Sequence, residues 1–188
     1  LEWCSPIKVK RFKTSTKIKT PVTSDWISAF SDQALADGLP HLAALAYFMF
    51  GTGARRGEAC ALRWADVDLF LKQAVIHQSK IKHTRVAHIP QAVVVAIANI
   101  PSSRHEQEHV FGYATGESVG QVWSNVCKRA GIAMLTPHCC RHGFATAMLQ
   151  SGIDPKTVAV RGGWKDVATV MKHYAHAMDD PTITDIIF

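Results

Sequence analysis

Hydrophobic positions recur at helical spacing along most of this chain and alternate at strand spacing in one short stretch. Trp26, Ile27, Phe30 and Leu35 share one side of a helix that Ser24 can cap. Residues 41–50 are apolar almost throughout, which predicts a buried helix. Gly51-Thr52-Gly53 interrupts it, and helical character returns over 55–62. Stretches 69–78 and 84–89 are rich in β-formers on either side of the polar Ser79-Lys80-Ile81-Lys82-His83, the pattern of a hairpin. Pro90 opens a small helix over 91–98, residues 101–107 read as loop, and 109–113 as a short strand. Residues 117–130 are amphipathic, with Val119, Val122, Trp123 and Val126 inward. Thr136-Pro137 pairs a capping residue with proline at the first helical position and predicts a helix to about Ser151. Asp154-Pro155 repeats that signal for a short helix to Val160, Gly162-Gly163 ends it, and a last helix runs to about Tyr174. The sum is mostly α with a small antiparallel β-sheet, an α+β fold.

Composition narrows the class. The 188 residues are 47% hydrophobic and 19% charged, enough for one well-cored domain with a tail. The longest apolar-rich stretches, 41–50 and 92–100, fall well short of the roughly 20 residues a membrane-spanning helix needs, so no membrane partner is expected. Residues 1–20 hold Lys8, Lys10, Arg11, Lys13, Lys17 and Lys19 against Glu2 alone, a net +5 out of +6 for the whole chain. Residues 1–22 therefore read as a basic arm or interdomain linker, suited to phosphate contacts and equally to a solvated connection. Cys4, Cys60, Cys127, Cys139 and Cys140 are an odd set without framework spacing, which fits a reducing, cytoplasmic setting. The first residue is Leu1, so the chain is expected to be a piece of a longer protein.

Four places carry residues with chemical potential. In Thr52-Gly53-Ala54-Arg55-Arg56-Gly57-Glu58, glycines ahead of a helix let the backbone turn and an arginine reach an anion. Glu58 shares a helical face with Arg55 and can orient it, though a surface ion pair would look the same. In Thr136-Pro137-His138-Cys139-Cys140-Arg141-His142, His138 and Arg141 share a face near a helix start, where free N–H groups favour phosphate. Zinc is the rival there. Adjacent helical residues point about 100° apart, so the two histidines and two cysteines cannot converge, although His138 and His142 can pair. Lys80, beside Lys82 and Arg85 at the hairpin tip, can meet a phosphate or donate a proton. Gly162-Gly163-Trp164 precedes His173-Tyr174-Ala175-His176, where a tyrosine of ordinary pKa about 10 would need cationic neighbours to become a nucleophile.

Taken in order, Thr-Gly-x-Arg-x-x-Glu, a hairpin lysine, His-x-x-Arg-His, Gly-Trp and Tyr-x-His resemble the catalytic domain of the tyrosine recombinase (phage integrase) family over roughly residues 24–178. Ala61-Leu62-Arg63-Trp64-Ala65-Asp66-Val67-Asp68 is similar to family sequence after the first arginine. The resemblance implies that fold, with residues 1–22 as linker, 23–178 as catalytic domain and 179–188 as the start of a C-terminal exchange segment. It implies Arg55 and Arg141 on the phosphate, His138 as base, Lys80 as acid with Lys82 its competitor, Trp164 as an N–H donor and Tyr174 as nucleophile. DNA would be cut and rejoined through a 3′-phosphotyrosyl link with no metal, nucleotide or other cofactor. The partner would be double-stranded DNA. A homotetramer is expected for the full-length bacterial or phage-encoded protein, and a monomer for this chain alone. A type IB topoisomerase using the same pocket, a non-catalytic DNA-binding protein and a zinc-binding regulator are the competing classes.

Overall fold

In a computed structural model, which describes residues 20–78, 83–113 and 117–178, the longest apolar run becomes the central helix. The first helix is α1 (Ser24–Ala36), and the central one is α2 (Pro40–Thr52). Because α2 is apolar on every side, it buries Leu42, Leu45, Phe48, Met49 and its alanines against neighbours all round. Those neighbours are α1, α4 (Gln91–Ala98) and α6 (His138–Gln150). Between them in sequence lie α3 (Arg56–Cys60), a single 3-10 turn (Trp64–Asp66), and α5 (Glu117–Arg129). The described residues end with α7 (Pro155–Gly162), α8 (Val167–Tyr174) and a second 3-10 turn (Ala175–Met178).

Local chemistry explains most boundaries and several departures from expectation. Thr23, not Ser24, caps α1, its hydroxyl accepting from the Trp26 N–H at 3.2 Å. Leu35 is 53% exposed, because Ile27, Phe30 and Ala34 continue the inward stripe and position 35 has rotated off it. Trp26, Phe30 and Trp123 stack, with Phe30 and Trp123 centroids 4.2 Å apart, and this joins α1 to α5. Both indoles find carbonyls, of Ala133 at 3.0 Å and Leu135 at 2.8 Å. At α6, Pro137 is itself helical and the Thr136 hydroxyl faces Cys139 Sγ. The Cys139 N–H bonds instead to the Thr136 carbonyl at 2.8 Å. At α7, Asp154 caps as expected, accepting from the Thr157 N–H at 2.9 Å.

The sheet is a three-stranded antiparallel meander, β1 (Val67–Asp68), β2 (Gln73–Gln78) and β3 (His83–His88). Val75 pairs with Val86 and Ile76 with Arg85, so Ala74, Ile76, Arg85 and Ala87 face inward. The first hairpin strand starts later than residue 69. Asp68 holds the Leu71 N–H at 2.8 Å in a turn, Lys72 has φ 54°, and Phe70 is left 92% exposed. The strand expected over 109–113 is not formed. His109 makes an isolated bridge to Arg63 and the chain turns at Gly112, while Val110 and Phe111 are buried without a ladder. Two apolar clusters result, and α6 enters both. Cys139 and Cys140 lie in the larger, whereas Ala145 and Leu149 pack with Val158, Val170 and Tyr174 in the smaller. Lys80, Lys82, Cys4, most of the arm 1–22 and the segment 179–188 lie outside the described residues.

Candidate active site

The site forms where two helices end and one begins. Arg141, near the start of α6, is only 2% exposed, and a buried guanidinium must find acceptors. It finds the carbonyls of Gly53 and Gly162, the latter at 2.5 Å, and its second terminal nitrogen lies 3.4 Å from the Gly163 carbonyl. These oxygens are available because α2 and α7 stop there, so the last carbonyls have no partner within their own helix and the negative dipole ends meet the guanidinium. Gly53 and Gly163 end the helices in left-handed conformation, with φ 65° and 68°.

Arg55 lies at the start of α3. Glu58 Oε1 accepts from its Nη1 at 2.6 Å and Oε2 from its backbone N–H at 3.0 Å, so one carboxylate orients both. Arg55 Nη2 also lies 3.4 Å from the Gly163 carbonyl. The structure thus brings Arg55 to Arg141 through a shared acceptor. Arg56 lines an adjacent cleft of about 380 Å³ with Arg55, Gly57, Thr136, Pro137 and His138.

Trp164 lies with its ring centroid 3.7 Å from Arg141 Cζ, a cation–π contact, and stacks on Phe144. Tyr174, at the end of α8, meets Trp164 edge to face and is 5% exposed. Burial pushes its phenol up to about 12, with Arg141 pulling weakly the other way, so the hydroxyl is neutral at physiological pH. That hydroxyl lies 2.7 Å from His142 Nδ1. His138 is exposed and sits one turn before His142, ring centroids 4.8 Å apart. His142 therefore touches both His138 and Tyr174. Cys139 and Cys140 turn into the core, and burial pushes the Cys140 thiol well above its ordinary value.

Sequence reasoning gave no role to two residues here. His142 entered as a partner of His138 for zinc and as the last position of His-x-x-Arg-His, with no duty of its own, yet the same i, i+4 spacing was the signal that they share a face. Arg85, on the inner face of β3, is 8% exposed and donates to the carbonyls of Arg161 at 2.6 Å and Thr52 at 3.0 Å. Its signal was alternation, since an arginine two residues before Ala87 and four before Ile89 falls on the apolar face of a strand. Burial, aided by the charge of Arg55 and opposed by Glu58, lowers Arg85 to about 10 and Arg141 to about 9, with Arg85 adding to the push on Arg141. Arg55 alone pairs with Glu58, while Arg85 and Arg141 feel that carboxylate as a nearby charge, so the three guanidiniums keep a positive excess that an anion such as phosphate would relieve. Among the described residues no helix is long and apolar enough to cross a membrane, and no three His, Cys, Asp or Glu side chains are grouped to hold a metal.

Residues 27–180 match the Phage integrase family. The integrase of Salmonella phage P22 is 25% identical over 168 residues, which covers 80% of this chain and 43% of that protein. Tyrosine recombinase XerA of Thermococcus onnurineus is 31% identical over 130 residues, covering 64% of this chain and 46% of that one. The chain thus spans less than half the length of these curated relatives. The fold is similar to that of the Tn1549 transposon integrase solved in complex with transposon right end DNA. There the TM-score is 0.75 at 20% identity, over 93% of this chain and 67% of that one.

Proposed function

The chain belongs to the Phage integrase family, and from that premise we propose that it carries the catalytic machinery of a site-specific tyrosine recombinase acting on double-stranded DNA. The observation that carries the reading is a buried tyrosine hydroxyl, 2.7 Å from a histidine, close to a buried Arg141 that shares the Gly163 carbonyl with a carboxylate-oriented Arg55. In the first step the Tyr174 oxygen forms a bond to the scissile phosphorus and the bond from phosphorus to the 5′-oxygen breaks. A 3′-phosphotyrosyl link and a 5′-hydroxyl result. Arg55 and Arg141 grip the non-bridging oxygens, where charge grows in the transition state. Trp164 covers Arg141 and turns its N–H to the phosphate. Lys80 gives the proton that the departing oxygen needs. The link keeps the phosphodiester's energy, so a 5′-hydroxyl rejoins by the reverse step without ATP. On DNA the full-length protein would assemble as a homotetramer.

A neutral phenol with a raised pKa cannot attack unless its proton leaves as the bond forms. The family motif puts that duty on His138. A second assignment is favoured by distance, because His142 Nδ1 already meets the hydroxyl and His138 stands behind it. The reading as a whole is tested on a nicked suicide DNA substrate, from which the cut 5′-end diffuses away so that rejoining fails. Wild-type protein should accumulate a covalent adduct resistant to denaturation, and Tyr174→Phe should form none while still binding DNA. An adduct of wild-type yield from Tyr174→Phe would remove Tyr174 as nucleophile.

A further inference from the structure

Arg85 is the one buried guanidinium of the site to which the proposed chemistry gives no task. Its neighbours in the sheet do not call for a charge. Ile76 is its cross-strand partner and Ala87 shares its face, so an apolar side chain would fill the position without the cost of burying a cation. Its two ends instead hold the carbonyls of Thr52 and Arg161. Each is the residue immediately before one whose carbonyl Arg141 holds, Gly53 and Gly162. Two guanidiniums therefore span the same gap, between the ends of α2 and α7, on successive pairs of carbonyls. A single bridge lets two helix ends pivot about it. A second bridge one residue along removes that freedom and fixes the separation at which Arg141 and Arg55 meet Gly163.

We propose that Arg85 is a positioning residue for the phosphate-gripping arginines: it locks the end of α2 to the end of α7 and holds Arg55 and Arg141 in register despite their mutual repulsion. Resting on the reading of the site as a DNA strand-transfer centre, it adds a member that acts through the other two. β3 begins directly after the hairpin residues that include Lys80, so the same side chain ties the base of that hairpin to the clamp. The guanidinium fork is essential, because it reaches the two carbonyls from separate nitrogens in one rigid plane, whereas an ammonium offers its donors from a single nitrogen.

The test uses Arg85→Met and Arg85→Lys in single-turnover cleavage of three suicide strands. One has an ordinary phosphate, one a methylphosphonate that removes the charge of one non-bridging oxygen, and one a 5′-bridging sulfur that leaves without a proton. Both variants should be slowed about 10²-fold on the ordinary strand, the scale of a small misplacement of reacting groups. The defect should shrink at least tenfold on the methylphosphonate, where the arginine pair matters less, and persist on the sulfur strand. An equal defect on all three strands would mean a merely structural role and overturn the proposal. So would rescue by sulfur alone, which would point to Lys80, or wild-type rates for Arg85→Lys. Thermal melting checks folding, and if Arg85→Met does not fold, Arg85→Lys carries the test. If wild-type protein itself forms no adduct on the ordinary strand, the strand-transfer reading falls first. If it does and both variants match it, only the role of Arg85 falls.

Discussion

Tyr174 is held as a neutral phenol by its burial, and the rate of its attack depends on which group removes the proton. His142 Nδ1 is 2.7 Å from the hydroxyl, and the His138 ring packs edge-on against His142. In single-turnover cleavage, His142→Gln should therefore slow adduct formation by about 10²-fold or more, the usual worth of a positioned base. His138→Gln should cost less than about tenfold if its part is to support His142 and line the cleft. The reverse order would return the base to His138, where the His-x-x-Arg motif puts it. At this scale the legible residues were those whose partners are near in sequence. Arg55 and Glu58 are three apart on one short helix and could be read as a pair. Arg85 reaches 33 residues back to Thr52, and Tyr174 reaches 32 residues back to His142, so no local pattern announces either contact. What the sequence offered was weaker, a charge on the apolar face of a strand and two histidines one turn apart.

Helix ends, more than helix bodies, build this site, and glycine decides where they fall. Gly53 ends α2 at φ 65°, and a Cβ there would lie 2.6 Å from Cδ1 of Phe144, the ring on which Trp164 stacks. Gly53→Ala should destabilise the fold by about 1–2 kcal/mol from the left-handed backbone alone, and more as Phe144 moves. Cleavage should fall with it, because the carbonyl that Arg141 holds belongs to the same residue. Gly57, four residues on in the same motif, has open space around its Cβ position and ordinary helical backbone. Gly57→Ala should be neutral or stabilising by up to about 1 kcal/mol. Denaturant melts of the two variants check the contrast, and equal effects would deny Gly53 its special place. The breaks at Gly53 and Gly163, the proline starts of α4 and α7 and the burial of α2 were all readable, since local backbone chemistry sets them. The late start of β2 and the unformed strand at 109–113 were not. β-formers such as Val110 and Phe111 are buried in a turn-rich segment, where packing overrides their strand preference.

At the scale of the whole molecule, charge is divided between two places with different duties. The site gathers the buried Arg85 and Arg141 and the half-exposed Arg55, which Glu58 pairs, into a small positive excess suited to one phosphate. The first 20 residues carry six of the 21 Lys and Arg residues and only one acid. A contact between exposed cations and the DNA backbone releases counterions and weakens steeply with salt. A buried guanidinium acts on the phosphate it touches and is screened much less. If the arm supplies general affinity and the site supplies chemistry, the two are separable. Deleting residues 1–20 should weaken DNA binding and lower the slope of log affinity against log salt by up to about 5, roughly one unit for each net charge lost. Cleavage at saturating DNA should be nearly unchanged, because the deletion leaves Tyr174, the histidines and the three arginines in place. Binding titrations at several salt concentrations, paired with single-turnover rates at saturation, measure both. Unchanged slopes would show that the arm does not reach phosphate and that the body alone carries the affinity. A collapse of the saturated rate would show instead that the arm belongs to the catalytic assembly.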